Sequence, residues 1–163
     1  MGSEIMENIA LMLLGVITIA KGHMSQGLEE LKKVRQTLLN IENQTFYAQS
    51  EYVLGNVYLQ IVEGAGPKKI SVMARNIGFI LKNAPLAAKK SETHFKKAIV
   101  TAKKIGAKGI LAQAYMDLGR LHKAKKRIDK AQECFSEAIH IFVEYEAESF
   151  IKMTKEALAS TKD

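Results

Sequence analysis

The fold is decided by residues 115–138, which read YMDLGRLHKAKKRIDKAQECFSEA. Tyr115, Leu118 and Gly119 lie at i, i+3 and i+4, so they form one stripe on an α-helix. After a basic turn, a second helix carries small and aromatic side chains at helical spacing: Ala131, Phe135 and Ala138. Small residues let two helix backbones approach closely, and we expect Phe135 to fill the gap between neighbouring units. The stretch therefore predicts a helical hairpin.

The same pattern occurs twice more in the chain. The residues assigned to helix packing in these earlier units are Leu14, Gly15, Leu54, Gly55, Tyr58, Phe95 and Ala98. Gly15 and Gly55 lie 40 residues apart, and Gly55 and Gly119 lie 64 apart, which is one period plus an insertion of 24. A repeat of this length built from paired helices predicts a solenoid.

Composition agrees with one all-α domain. The 163 residues are 47% apolar and 25% charged, as in ordinary globular proteins. Only two prolines interrupt the chain, and the alternation typical of strands is nowhere sustained. The single cysteine, Cys134, excludes an internal disulfide and predicts a small buried thiol in a reducing, cytoplasmic setting.

The pattern resembles the tetratricopeptide repeat, whose two halves read W-x-x-L-G-x-x-Y and A-x-x-x-F-x-x-A. The last unit matches with Tyr115 in the Trp place, whereas Glu51 takes that place in the middle unit. The usual closing proline is absent, and the period of 40 exceeds the usual length of about 34. The resemblance implies a right-handed superhelix of antiparallel helix pairs, with an inserted helix and a C-terminal capping helix.

The pattern also predicts where the elements begin and end. Residues 1–163 form a single domain whose predicted parts are repeats at about 8–41, 48–105 and 112–145, an insertion at about 63–86, and a capping helix at about 146–160. In the last repeat the helices should span about Lys108–Lys125 and Ile128–Glu144. Met1-Gly2-Ser3 is interpreted as an expression scar, so we expect the chain to be a piece of a longer protein.

The insertion predicts a short helix of its own. Gly64-Ala65-Gly66-Pro67 should break the preceding helix, and Asn83-Ala84-Pro85 should end the inserted helix and begin the next one. Its apolar stripe consists of Ile70, Met73, Ala74, Ile77 and Leu81. We expect this stripe to pack on the solenoid; a basic amphipathic helix that binds a membrane surface or an acidic partner is the alternative.

The first helix is apolar on every side. The run Ile9–Ala20 is twelve residues long, shorter than the roughly twenty that span a membrane, so no transmembrane segment is predicted. Glu4 and Glu7 argue against a secretory leader. A helix apolar all round is buried all round. We therefore expect it to be covered either by upstream repeats or by a second copy in a homodimer.

Charge is concentrated in the middle of the chain. Residues 61–130 carry a net charge of +13, and the remaining residues carry −6. Lysine pairs recur every seven residues at 89–90, 96–97 and 103–104, along one side of a helix. Such a surface can bind nucleic acid or anionic lipid. Few aromatics are interleaved and no groove-reading motif is present, so a solvated face is the favoured interpretation.

Nothing in the sequence predicts catalysis. The four histidines lack metal-type spacing, and no H-E-x-x-H, C-x-x-C or phosphate-cradling glycine loop is present. Glycines 106 and 109 fit a turn between helices. We therefore expect no catalytic residue, no metal, no cofactor and no enzymatic activity.

A narrower resemblance concerns residues 51–59, 105–109 and 113–125. These stretches are similar to the C-terminal helical-repeat region of large bacterial signalling proteins, in which a class III adenylate/guanylate cyclase domain and an ATPase module precede the repeats. This resemblance implies a protein–protein interaction module in signalling. Nothing in these residues cyclises a nucleotide or binds ATP.

The resemblance to tetratricopeptide stacks also implies a binding groove lined by the first helix of each pair. Its residues here are Met12, Val16, Gln49, Tyr52, Asn56, Gln113, Met116, Arg120 and Lys123. The groove would grade from apolar to basic. The expected partner is a short helix or extended segment with an apolar anchor and an acidic flank, because Met12 and Val16 break any carboxylate clamp.

Overall fold

The computed structural model describes residues 2–64 and 70–162, and helices make up nearly all of this part of the chain, with no strand in it. The helices are α1 (Gly2–Ala20), α2 (Met24–Asn40), α3 (Gln44–Val62), α4 (Ile70–Ile105), α5 (Lys108–Ala124), α6 (Ile128–Glu144) and α7 (Glu148–Ala159). The prediction of an all-α fold is confirmed. The bounds of α5 and α6 agree with the predicted hairpin to within one residue.

Consecutive helices pack as hairpins, and each hairpin packs on the next. The pairs are α1 with α2, α3 with α4, and α5 with α6, while α7 packs on α6. In addition, α3 contacts α2 and α5, and α4 contacts α5. The arrangement is therefore repeat-like. The first helices of the second and third pairs, α3 and α5, each lie between the second helices of two pairs: α3 between α2 and α4, and α5 between α4 and α6.

One turn geometry recurs between helices. After α2, α5 and α6 the chain turns through a left-handed residue, at Glu42 (φ 55°), Lys126 (φ 56°) and Glu146 (φ 57°). The next residue then donates its N–H to the carbonyl five residues earlier, over 2.9 to 3.0 Å. This is the Schellman termination, which satisfies carbonyls at a helix end. The same bond follows the left-handed Gly22 and Gly106, so five turns between helices share this geometry.

Glycines set the closest contacts within the hairpins. A Cβ added at Gly55 would lie 2.6 Å from the ring of Phe95, and one at Gly119 would lie 2.7 Å from the ring of Phe135. Each phenylalanine is fully buried. Each therefore packs on the glycine of its own hairpin, whereas the sequence predicted that Phe135 would fill the gap between neighbouring units. The first hairpin uses two glycines instead, since a Cβ at Gly27 would meet the carbonyl oxygen of Gly15 at 2.5 Å.

Two predicted packing residues are not fully buried. Leu14 is 50% exposed, and Tyr115 is half-buried, whereas the other eleven are buried. The interpretation of Leu14 was wrong because α1 turns a different stripe toward α2. That stripe contains the buried Met12, Gly15 against Leu31, and Ile19 against Gly27.

The expectation that the insertion forms a separate helix was wrong. Helix α4 runs without interruption from Ile70 to Ile105, with Pro85 inside it. Residues 65–69, which include most of the predicted Gly-Ala-Gly-Pro break, lie outside the described residues. Proline removes one backbone donor and crowds the carbonyl four residues earlier. Pro85 and Leu81 are both exposed, so no packed neighbour crowds the helix on this side, and the helix continues.

The inserted part of α4 also packs through a different stripe from the predicted one. Ala74, Ile77 and Leu81 are exposed, the last two by 50% and 66%, and the side chains of Ile70 and Met73 lie outside the described residues. Two positions of this part are buried, Asn76 and Asn83. Asn76 Nδ2 donates to the Gly22 carbonyl at 2.7 Å, and its Oδ1 accepts from the Met24 N–H at 3.2 Å. Unpaired backbone groups of the α1–α2 turn thus decide which face of the helix turns inward.

Helix α1 is buried on one side only. Its exposed large apolar residues are Met6, Leu11, Leu13, Leu14, Val16 and Ile17. The expectation of burial all round does not hold within this chain, because α2 is the principal helix packed against α1. The other side of α1 is free of the described residues.

By length and composition, α1 is also the one described helix that can cross a membrane. The window Ser3–Ala20 has a mean hydropathy of 1.6, and 22% of it is buried. The sequence prediction rested on the shorter run Ile9–Ala20. Core helices and N-terminal leader sequences share this composition, so it does not assign a location.

Candidate partner-binding groove

A groove of about 790 Å³ lies where α3, α5 and α7 come together. Its lining residues are Val62, Glu63, Met116, Arg120, Lys123, Ala124, Phe135, Met153 and Ala157. Most of these are apolar, and the charged ones come from the end of α3 and from α5. Of the described insertion only its first residue, Glu63, lines the groove. The groove therefore belongs to the first helices of the last two repeats and to α7, with Phe135 of α6 beneath it.

A buried carboxylate bonds to Arg120, one of the residues that line the groove. Asp117 is 2% exposed and accepts three hydrogen bonds, from the Tyr52 hydroxyl at 2.9 Å, Asn56 Nδ2 at 3.1 Å and Arg120 Nη1 at 2.8 Å. Two of these donors lie on α3 and one on α5 itself. A buried charge persists only when it is paired and hydrogen-bonded. Asp117 thus joins α3 to α5 at a defined separation.

Arg120 extends this set of contacts to the end of α3. Its Nε and Nη2 donate to the two carboxylate oxygens of Glu63, at 3.2 and 2.7 Å. Two-point contacts of this kind fix the plane of the guanidinium. Burial works against the charge, but Asp117 and Glu63 together raise the pKa of Arg120 above its ordinary value. Its charge is therefore already matched by two carboxylates of the same chain.

Tyr52 is held as a hydrogen-bond donor. Burial, together with the neighbouring Asp117 carboxylate, raises the pKa of the Tyr52 hydroxyl well above its ordinary value. The side chain also lies beside Phe95, with ring centroids 6.2 Å apart. It stays protonated at neutral pH and connects the groove wall to the core.

Three of the nine predicted groove residues line the groove: Met116, Arg120 and Lys123. Tyr52 and Asn56 do not line it, but they share the acceptor Asp117 with Arg120. Lys123 Nζ donates to Ser160 Oγ at 2.6 Å, which ties it to the end of α7.

The other four predicted residues lie elsewhere. Gln49 and Gln113 are half-buried and do not line the groove. Met12 is 7% exposed, in the core with Leu28 and Leu31, so it cannot offer an apolar groove surface. Val16 is 40% exposed on the open side of α1.

Sequence reasoning missed four important residues: Glu63, Asp117, Met153 and Ala157. Asp117 had a signal, because it is an acidic residue inside the buried stripe of residues 115–119 and stands three residues before Arg120. Met153 and Ala157 were assigned to a capping helix. A capping helix becomes a groove wall only through the way it packs, and the sequence does not show how α7 packs.

A second buried carboxylate lies on the opposite side of α3. Glu51 is fully buried, with His94 Nδ1 at 2.5 Å and Arg35 Nη1 at 3.2 Å. Burial by itself would raise the pKa of Glu51, but hydrogen bonds from His94 and Tyr47 hold that pKa below its ordinary value. His94 also stacks on Tyr58, with centroids 5.7 Å apart. These residues join α2, α3 and α4 and leave no open site.

Cys134 and His122 are buried in the core. Burial, with Glu133 and Glu137 nearby, raises the pKa of the Cys134 thiol to about 11, so it is neutral and unreactive at physiological pH. His122 is 4% exposed, and its Nδ1 has no hydrogen-bond partner within the described structure. Burial lowers its pKa, so it is uncharged near pH 7.

Within residues 2–64 and 70–162, no three His, Cys, Asp or Glu side chains come close enough together to hold a metal ion. The class of protein that the structure defines is an all-helical stack of hairpins with a lateral groove. No model of a known protein family matches the chain, and comparison with curated proteins gives no significant match.

Proposed function

We propose that this chain is a non-catalytic, tetratricopeptide-type module that binds a segment of another protein in the groove between α3, α5 and α7. The observation that carries the proposal is a mostly apolar groove whose lining residue Arg120 belongs to a set of polar contacts that join two repeats. Preorganised, mostly apolar clefts with a few fixed polar groups are the usual form of a binding site. We further propose that the module works in the cytoplasm, within a larger bacterial cyclase- or ATPase-type signalling protein.

The groove favours an apolar anchor over an acidic one. Arg120 is already matched by Glu63 and Asp117, and Lys123 is held by Ser160. The surface left for a partner is therefore mainly the apolar lining, in which Met153 is 47% exposed. Methionine side chains adapt to differently shaped apolar partners. A helix or extended segment that inserts one large apolar side chain fits best, with an acidic flank contributing only near Lys123.

Selection from a displayed library of random peptides tests this proposal. Wild-type protein should enrich peptides that share a large apolar anchor, and Met153→Glu should lower their affinity by about tenfold or more, because a charge would be buried against the anchor. Leu39→Glu is the matched control, since Leu39 is 46% exposed on α2, away from the groove. Equal binding by both variants, or no enrichment at all, would contradict the proposal.

The open side of α1 favours a second candidate function, association through the end of the stack. Helices α3 and α5 each lie between two second helices, whereas α1 has α2 on one side and six exposed large apolar residues elsewhere. Exposed patches of this kind commonly mark interaction sites. We propose that another helical hairpin covers it, from upstream repeats or from a second copy. Sedimentation of the wild type against Leu13→Glu with Ile17→Glu tests the second copy; a monomer in both cases rejects it.

A further inference from the structure

A line of lysines follows the outward face of α4. We call this the basic ridge: Lys89, Lys96, Lys97, Lys103 and Lys104, all exposed. Between them Val100 is 67% exposed. The one acidic residue among positions 89–104 is Glu92, and it is paired with Lys96 at 2.7 Å and Arg127 at 3.1 Å. Lys97 also lies 3.9 Å from the buried Glu51. Lys89, Lys103 and Lys104 form no ion pair within the described residues, so the ridge keeps a net positive charge.

The neighbouring second helix carries the opposite charge. We call this the acidic ridge: Asp129, Glu133 and Glu137, one turn apart on α6 and all exposed. None of the three forms an ion pair within the described residues. Lys130, at the start of the helix, is the basic exception.

The two ridges run side by side in the same direction. Near the start of α6, Arg127 bonds to Glu92, 35 residues earlier. Further along, Lys103 borders the same crevice as Glu133 and Glu137, and its Nζ lies over the ring of Tyr115, 5.2 Å from the centroid. This crevice has a volume of about 780 Å³, with Tyr115 and Cys134 also lining it. A positive wall and a negative wall thus face outward in parallel.

We propose that two copies of the chain associate face to face through these ridges, the basic ridge of each lying on the acidic ridge of the other. A single two-fold axis parallel to α4 and α6 produces this arrangement. Rotation about this axis exchanges the positions of the two ridges and leaves the direction of the helices unchanged. The basic ridge of each copy therefore meets the acidic ridge of the other, and both contacts form at once. Closed two-fold symmetry of this kind is the commonest form of self-association. The face is separate from the groove, which lies on α3, α5 and α7.

A charge exchange between two variants tests the pairing. The first variant is Lys89→Glu with Lys104→Glu, at two positions that form no ion pair within the described chain; the second is Glu133→Lys with Glu137→Lys. Each alone should raise the dimer dissociation constant by about tenfold or more, because like charges then face each other. An equimolar mixture of the two should form a heterodimer, since both contacts are complementary again. Sedimentation at roughly 50 mM salt measures this, and roughly 500 mM salt should weaken the wild-type dimer.

The outcomes separate the candidate interfaces. Two results together support an interface through the ridges: the mixture forms a heterodimer, and the double variant Leu13→Glu with Ile17→Glu still dimerises. A wild type that stays monomeric at low salt overturns the proposal. So does a dimer that the α1 variant abolishes and the ridge variants leave unchanged. Binding of monomers to phosphatidylserine vesicles, lost in the lysine variant, would instead assign the basic ridge to anionic lipid. Circular dichroism of each variant verifies that the helices are retained.

Discussion

The hydroxyl of Tyr52 donates a hydrogen bond of 2.9 Å to the carboxylate of Asp117, 65 residues later in the chain. This contact joins the first helices of two successive repeats, next to the groove residue Arg120. Because Asp117 also accepts from Asn56 and Arg120, one side chain determines both the spacing of α3 and α5 and the polarity of the site.

Asp117→Ala should be among the most destabilising substitutions in the protein. It would leave the buried Tyr52 hydroxyl and the Asn56 amide without their acceptor, and we expect a loss of about 2–4 kcal/mol in the free energy of unfolding. Urea denaturation followed by circular dichroism measures it. Asp129→Ala, at an exposed position, should change stability by less than about 0.5 kcal/mol. Equal effects of the two would mean that Asp117 does not join the repeats.

Gly119→Ala should destabilise the last hairpin. The new methyl group would lie 2.7 Å from the ring of Phe135, which is fully buried and cannot move away freely, so we expect a cost of about 1–3 kcal/mol. Gly78 is the matched control, because a Cβ there meets nothing within 4 Å. Gly78→Ala should stabilise α4 by about 0.5–1 kcal/mol through its higher helix propensity. Thermal unfolding should show opposite signs for the two; the same sign would contradict the packing of glycine on phenylalanine.

Pro85→Ala should raise stability by about 1–3 kcal/mol. Because α4 is continuous through this position, alanine restores a backbone donor within the helix and removes the clash of the proline ring. At a helix start, as the sequence pattern predicted, the same substitution would change little. Thermal melting of the variant distinguishes the two, and an unchanged or lower Tm would favour separate helices.

His122 should make stability depend on pH in the mildly acidic range. Burial lowers its pKa in the folded state, whereas the unfolded state retains the ordinary value of about 6.5. The unfolded state therefore binds more protons, and stability is lost as pH falls below about 6.5. The charges that act on His122 are Glu92, which opposes the shift, and Arg127, Lys130 and Lys96, which add to it.

His122→Leu should flatten this dependence between about pH 6.5 and 5. His140→Leu is the control, because the side chain of His140 is 74% exposed. The urea midpoint at the two pH values measures the effect. A wild-type dependence that persists in His122→Leu would assign it to another group. Glu51, whose pKa is also lowered, acts only at more acidic pH: its contribution is lost as pH falls through its folded-state value, below the ordinary 4.5.

Local spacing predicted the α5–α6 hairpin, because its apolar stripes, turn and small residues all agree. Local spacing did not predict the length of α4 or its buried face, for two physical reasons. Pro85 is tolerated within the helix since it faces solvent, which depends on how the helix packs. The inward face is chosen by Asn76, a polar residue that binds the α1–α2 turn 52 and 54 residues away. An apolar stripe gives no sign of such a contact.

The groove was predicted in part for a similar reason. Tyr52, Asn56 and Arg120 were identified from their repeat positions, but their shared acceptor Asp117 and the partner of Arg120, Glu63, were not. The sequence predicted a basic groove suited to acidic segments. Because both carboxylates pair with Arg120, the charge of the observed groove is closer to balanced. Pairings between residues about 60 positions apart follow from tertiary packing alone.

The most direct test of the account is methionine methyl NMR with a peptide selected on the wild-type protein. The chain has seven methionines, and Met116 and Met153 line the groove, while Met6 is 67% exposed on α1. The proposed groove predicts that saturating peptide shifts the signals of Met116 and Met153 and leaves that of Met6 in place. A shift confined to Met6, with the two groove methyls unchanged, would contradict it.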